Sequence, residues 1–221
     1  MSRIIRILLI LVGLLLATTI VASAQMTSPS IEVLTVKGTI NPVLTDYISR
    51  GIDRAQGTGA QAVIIQMDTP GGLDTAMRDI IQDIVNARIP VVVFVAPAGA
   101  RAASAGAYIT LAAHIAVMAP NTAIGAATPI QLGGEGEVKV SDELKQKILN
   151  DAVAYIRDIA KSHGRNADWA EKAVREGVSA TSQEALNLKV IDMIAPDLNT
   201  LIAQLNGRQV TMLDGLSLIH I

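Results

Sequence analysis

The sequence predicts an α/β domain in which parallel strands are layered with helices. Two short apolar runs, Ala62 to Met67 and Val91 to Val95, are rich enough in branched side chains to be buried strands. Helical spacing of apolar residues marks Val43 to Gln56 and Leu73 to Ala87, the segments that lead into those runs. With a further alternating run at Ile31 to Lys37, strand, helix, strand, helix and strand follow one another within about 80 residues, the pattern of a parallel sheet covered by helices.

At the N-terminus, Ser2, Arg3 and Arg6 precede an apolar run from Ile7 to Val21 and then Ala22, Ser23 and Ala24. A basic start, an apolar middle and small residues at the end predict a secretory signal peptide over residues 1–24, cleaved after Ala24. The alternative is an uncleaved membrane anchor. In both cases the remainder is exported, to the periplasm or the extracytoplasmic face of the membrane, and a single domain over residues 25–215 is expected.

After a polar lead, Ile31 to Lys37 alternates as a strand that Gly38 breaks. Asn41 as N-cap and Pro42 at the first helical position predict the next helix, whose apolar residues fall at 44, 47, 48, 52 and 55 before Gly57 and Gly59 stop it. The strand Ala62 to Met67 runs into Asp68, Thr69, Pro70, Gly71 and Gly72, and the following helix places Met77, Ile80, Ile81, Ile84 and Val85 on one side. Pro90 opens the strand Val91 to Val95. Ile115 to Met118 and Thr122 to Ile124 read as further short strands, and Gln131 to Val140, rich in glycine and charge, as a mobile loop. Ser141 starts a helix to about Ser162, and Asn166 to Glu176 is another. A capping arrangement at Thr181 to Glu184 precedes Ala185 to Leu188, Val190 to Ile194 is the last strand, and Asp197 to Asn206 is a closing helix. The apolar tail Leu216 to Ile221 has no evident structural partner and resembles a translated sequencing adapter. A non-native end of a truncated chain is expected there.

Composition excludes several chemistries. The net charge is −2, and removing residues 1–24 takes away two arginines and no acid, so the exported part is mildly acidic and no nucleic-acid partner is expected. Without cysteine there are no disulfides, thiol nucleophiles or thiolate metal sites. His114, His163 and His220 lack ligand spacing, so neither a metal nor another cofactor is expected.

The candidate nucleophile is Ser104, the one hydroxyl in the small-residue stretch Ala98 to Ala107, placed between the strand Val91 to Val95 and a helix continuing through Tyr108 to Ala113. The first N–H groups of a helix lack internal partners and favour negative charge, so the N–H of Ala105 is a candidate oxyanion donor. Parallel strands bring their carboxyl ends to one edge, which sets Gly71 and Gly72 beside Ser104. Gly72 is the second oxyanion candidate, and Gly71, Leu73 and Asp74 form a candidate substrate edge. The plainer alternative is Ser104 as a helix N-cap. His114 lies about 15 Å along the helix from Ser104, too far to be its base. His163 sits at a helix end where a cation is favoured anyway, which leaves lysine.

Asp68 to Gly72, Ala102 to Ala107 and Met118 to Pro129 resemble the NfeD family of membrane-associated serine proteases, which is related to the Clp protease and signal-peptide peptidase fold. The resemblance spans about Ile31 to Pro196. It implies a Clp-like spiral of parallel strands and a Ser/Lys dyad; Ala126, Ala127 and Thr128 stand before Pro129, where the Clp relatives carry a histidine base. The family's lysine opens a helical segment matched here from Lys147 through Gly164, Arg165 and Asn166, so the resemblance names Lys147 as general base. Helical spacing leaves Lys145 and Lys139 open: Leu144, Ile148, Ala152, Tyr155 and Ile159 form an apolar stripe with Lys147 at its border and Lys145 near its centre. Asp151, four residues after Lys147, is placed to hold it as a surface ion pair.

The resemblance implies endopeptidase cleavage of hydrophobic segments in stomatin-like membrane proteins, assembly as a homodimer or larger, and membrane attachment through an uncleaved N-terminus or a missing downstream region. Two alternatives are a non-catalytic scaffold that binds stomatin-like proteins and a crotonase-like acyl-CoA enzyme. Export argues against the second, because coenzyme A is cytoplasmic.

Overall fold

In the computed structural model, which describes residues 29–129, 132–133, 136–137, 141–213 and 215–220, apolar strands pair side by side at the centre. In chain order the elements are β1 (Ile31–Lys37), α1 (Pro42–Thr58), β2 (Ala62–Asp68), α2 (Asp74–Asn86), β3 (Val91–Val95), β4 (Arg101–Ala102), α3 (Ala105–Ala112), β5 (Ile115–Met118), β6 (Ala123–Gly125), β7 (Leu132–Gly133) and β8 (Gly136–Glu137). There follow α4 (Asp142–Ser162), α5 (Ala167–Arg175), β9 (Ser179–Thr181), α6 (Ser182–Asn187), β10 (Met193–Ile194), α7 (Leu198–Leu205), β11 (Gln209–Met212) and β12 (Gly215–Leu218). Five strands form one parallel sheet in the order β1-β2-β3-β5-β10, with Val63 opposite Val91 and Val93 opposite Ala116.

Alternation along these strands divides the interior in two. Val63, Ile65, Met67, Val91, Val93 and Val95 face the cluster built with α1 to α6. Ile64, Val92, Phe94 and Val117 face the other side, covered by Leu201 and Leu205 of α7 and by Val210, Met212 and Ile219. Burial on both faces is why the strands read as unbroken apolar runs.

The helix starts follow their caps. The Asn41 side chain accepts from the Leu44 N–H at 3.0 Å, Ser141 accepts from Leu144 at 3.3 Å, and Asn166 accepts from Asp168 and Trp169. Thr181 and Glu184 form a reciprocal capping box.

Four features differ from the sequence reading. The two-residue β4 and the three-residue β9 join β6 in a separate sheet, and such short strands carry no periodicity to read. Within the expected loop, Leu132 pairs with Glu137 and Gly133 with Gly136. Leu144 is 44% exposed, because the buried stripe of α4 begins only at Ala152 and continues through Val153, Ile156, Ile159 and Ala160. The tail is not without partners: β12 pairs antiparallel with β11, and Ile219 is fully buried. The expected signal peptide lies outside the described residues, among which no helix is long and apolar enough to cross a membrane.

One buried charge fixes the far end of α3. Arg165 donates to the carbonyls of Leu111 at 2.6 Å and Ala113 at 2.8 Å and pairs with Asp192 at 2.5 Å, so a cation meets the negative helix end. Beside it His114 accepts from the Val91 N–H at 3.1 Å. Burial, with His163 and Arg165 nearby, pushes its pKa down to about 4. The folded protein therefore holds His114 neutral, and the stability it contributes is present above the usual imidazole pKa of about 6.5 and lost as pH falls through about 4. Urea unfolding at pH 7.5 and pH 4 is expected to show His114→Gln losing about 2 kcal/mol less on acidification than the parent chain. Equal losses in both would remove this histidine from the acid response.

Candidate active site

The site is built at the carboxyl edge of the sheet, where β2 runs past its last residue into Thr69, Pro70, Gly71 and Gly72. Thr69 is fully buried; its hydroxyl accepts from the Gly71 N–H at 3.0 Å and donates to the Gly71 carbonyl at 3.2 Å, which closes the turn. Ile40 donates to the Gly71 carbonyl at 2.8 Å and accepts from the Leu73 N–H at 3.0 Å. Amides alternate in direction along extended chain, so the Gly72 N–H points away from Ile40. The glycines are required by contact. A Cβ on Gly72 would lie 2.0 Å from the Ile40 carbonyl oxygen, and one on Gly71, whose φ is +111°, would lie 2.5 Å from the Ser104 Cβ.

Ser104 is suspended between this turn and β6. Thr69 donates to the Arg101 carbonyl and accepts from the Ala103 N–H, and the Ser104 N–H donates to the Ala126 carbonyl at 2.6 Å. So held, Ser104 has φ 51° and ψ −118°, a backbone conformation that side chains disfavour. It stands at the N-cap position of α3, yet its side chain makes no capping bond. This corrects the plainer expectation that the hydroxyl serves as a cap. The N–H of Ala105 opens the helix and has no hydrogen-bond acceptor among the described residues. Gly106 serves packing here, since a Cβ on it would lie 2.6 Å from the Thr69 methyl.

A cleft of about 490 Å³ opens in front of Ser104, lined by Gly72, Asp74, Ser104 and Ala105 on one side and by Lys147, Ile148 and Asp151 of α4 on the other. Lys147 is exposed along this wall, and no hydrogen bond joins it to Ser104 among the described residues. Lys145 is turned toward Asp142, 3.5 Å away, and does not line the cleft. Lys139 lies outside the described residues.

The family model of the NfeD1b N-terminal domain matches residues 30–210 of this chain. The chain belongs to that family. It is 42% identical over 186 residues to the membrane-bound protease PH1510 of Pyrococcus horikoshii, over 84% of this chain and 42% of that protein. To the membrane protein NfeD1b of Bacillus subtilis it is 30% identical over 148 residues, over 67% of this chain and 32% of that protein. The chain thus spans less than half the length of both curated relatives. Among solved structures it is similar to the 1510-N membrane-bound stomatin-specific protease, a Clp-like fold. One such structure is a lysine-to-alanine mutant in complex with a substrate peptide, with TM-score 0.82 and 37% identity over 88% of this chain and 89% of that one. Another is a serine-to-alanine mutant, with TM-score 0.76 and 39% identity over 82% and 87%.

In this NfeD1b domain, then, Ser104, Lys147, Gly72, Ala105 and Asp74 share one cleft, and Gly71 packs behind Ser104. Leu73 is 54% exposed at the start of α2 and does not line the cleft. The expected pairing of Lys147 with Asp151 is not observed, because Arg78 donates to Asp151 at 2.5 Å. Arg78 and Tyr108, both in the cleft wall, were not legible as site residues. Burial, with Asp74 adding to it, pushes the Tyr108 hydroxyl well above the ordinary phenol range, so it stays a neutral donor, 3.4 Å from the Ala152 carbonyl.

An uncapped, strained serine should be removable. Thermal unfolding of Ser104→Ala is expected to stay within about 0.5 kcal/mol of the parent or to rise, where loss of a true N-cap costs about 0.5–2 kcal/mol. Gly72→Ala, which drives a Cβ into backbone, is expected to lose roughly 1–3 kcal/mol in the same assay.

Proposed function

We propose that this domain is a serine-type endopeptidase acting through Ser104 and Lys147. The observation that carries the reading is the cleft itself: a strained serine whose side chain makes no capping bond, a lysine on the facing wall, and Gly72 and Ala105 border one space. The family match and the two 1510-N structures support the same reading.

In this mechanism neutral Lys147 takes the Ser104 proton as Oγ attacks the scissile carbonyl. The N–H groups of Gly72 and Ala105 hold the oxyanion of the tetrahedral intermediate. As that intermediate collapses, the lysine ammonium gives its proton to the leaving amine, and an acyl group remains on Ser104. Water, activated by the same lysine, then releases the acid and restores the serine. An extended peptide would pair with the backbone at Gly72 and Asp74, because the Gly71 N–H and carbonyl and the Leu73 N–H are already bonded to Thr69 and Ile40.

The substrate class we propose is the hydrophobic segment of a stomatin-like membrane protein, supported by the stomatin specificity of the 1510-N relative. Export, attachment to the membrane outside the described residues, and assembly as a dimer or larger belong to the same proposal. The membrane-bound description of the relatives supports the attachment.

The test is cleavage of a panel of hydrophobic peptides by the parent chain and by Ser104→Ala, Lys147→Ala and Lys145→Ala, each first shown to be folded. Expected are losses of at least about 100-fold for the first two and near-parental rates for Lys145→Ala. Loss with Lys145→Ala instead of Lys147→Ala would move the base. Binding of the peptides without cleavage by any version would favour a scaffold.

A further inference from the structure

Arg78 is the most heavily partnered side chain of the cleft, and the proposed reaction does not use it. Its Nε donates to Asp74 at 2.8 Å, its Nη2 donates to Asp151 at 2.5 Å, and its guanidinium lies 4.3 Å from the centre of the Tyr155 ring. A planar fork with two carboxylates and an aromatic face is an arrangement that lysine does not reproduce. These contacts tie α2 to the third turn of α4, where the buried stripe of that helix begins at Ala152.

Lys147 stands one turn earlier, at i−4 from Asp151 and therefore on the same face of the helix. Such a carboxylate, left free, pairs with the lysine and holds it as an ammonium, the form that cannot accept a proton. The charged and titratable groups around Lys147 are Asp74 and Arg78 from α2, Tyr108 from α3, and Glu143 and Asp151 from its own helix. Asp74 and Asp151 are both held by Arg78. Of the acids on the first turn, Asp142 is held by Lys145, and Glu143, four residues before Lys147, makes no ion pair with it within 4 Å among the described residues, so Asp74 and Asp151 are the carboxylates whose freedom Arg78 controls.

We infer that Arg78 is a positioning residue for the proposed base: it occupies Asp151 and Asp74, so that neither carboxylate captures Lys147. The inference rests on the Ser104 and Lys147 reading. It assigns Arg78 an electrostatic task beyond tying two helices together, and that task has a signature a purely structural tie lacks. Removing Arg78 shifts the pH at which the base becomes available, and removing Asp151 as well shifts it back. The groups are partly exposed, so the effect is modest and screened by salt.

The experiment compares the parent chain, Arg78→Met, Arg78→Lys, Asp151→Asn and the double variant Arg78→Met with Asp151→Asn. Two readings are taken: kcat/KM for a hydrophobic peptide against pH, and the NMR titration of the Lys147 side chain, which needs no turnover. For Arg78→Met we expect the midpoint of both to rise by about 0.5–1 pH unit, with kcat/KM at pH 7 falling about three- to tenfold and the shift shrinking in 0.5 M salt. The double variant, in which Asp74 alone is left free, is expected to return most of the way to the parental midpoint, and Arg78→Lys to fall between the parent and Arg78→Met. Unchanged midpoints in folded Arg78→Met, or a shift that Asp151→Asn does not reduce, would overturn the inference. If the titration moves as expected while no version cleaves peptide, the inference about Lys147 stands and the peptidase reading fails.

Discussion

The backbone of Ser104 is held in a conformation it would not adopt alone, and the rest of the cleft is arranged around that constraint. A residue in such a region costs on the order of 1–3 kcal/mol, which the surroundings must offset. They do so with main-chain hydrogen bonds on both sides, from Thr69 to residues 101 and 103 and from Ser104 to Ala126. Because Thr69 also fixes the Gly71 amide, the nucleophile and the proposed oxyanion donors are positioned by one backbone lattice. Side chains enter that lattice chiefly by being absent, at Gly71, Gly72 and Gly106.

The two halves of the proposed dyad are mounted differently. Ser104 sits on this lattice, whereas Lys147 projects from α4 ahead of its buried stripe, which begins at Ala152. An apolar chain lying in the cleft would displace water from between them and favour the neutral amine. In the proposed mechanism, substrate binding and base activation are then linked through solvent exclusion.

Much of the fold was legible because its signals are local. An alternating run marked β1, continuous apolar runs marked β2 and β3, and Asn41, Ser141 and the pair Thr181 and Glu184 announced helix starts with side chains that do cap. Ser104 stood out because a lone hydroxyl in an Ala and Gly stretch has few structural uses. What stayed hidden depends on distant partners. Asp74 and Arg78 look like an ordinary pair one helical turn apart, and only folding brings Asp151 to the same guanidinium. The apolar stripe on α4 starts later than its spacing predicts, because Leu144 fits the pattern while the fold leaves it 44% exposed. The tail looked orphaned because its antiparallel partner, β11, is itself a four-residue strand with a weak pattern.

The division of the interior into two layers bears on how the chain is made. Everything that frames the cleft lies before residue 153, and the layer that contains it closes with Ile191. The opposite face, with Ile64, Val92, Phe94 and Val117, is covered by side chains of residues 198–219. A nascent chain that has emerged only to residue 195 would present a bare apolar sheet behind an assembled cleft. Such surfaces recruit chaperones or other chains, so emergence of residues 198–219 sets when this domain becomes safe from aggregation.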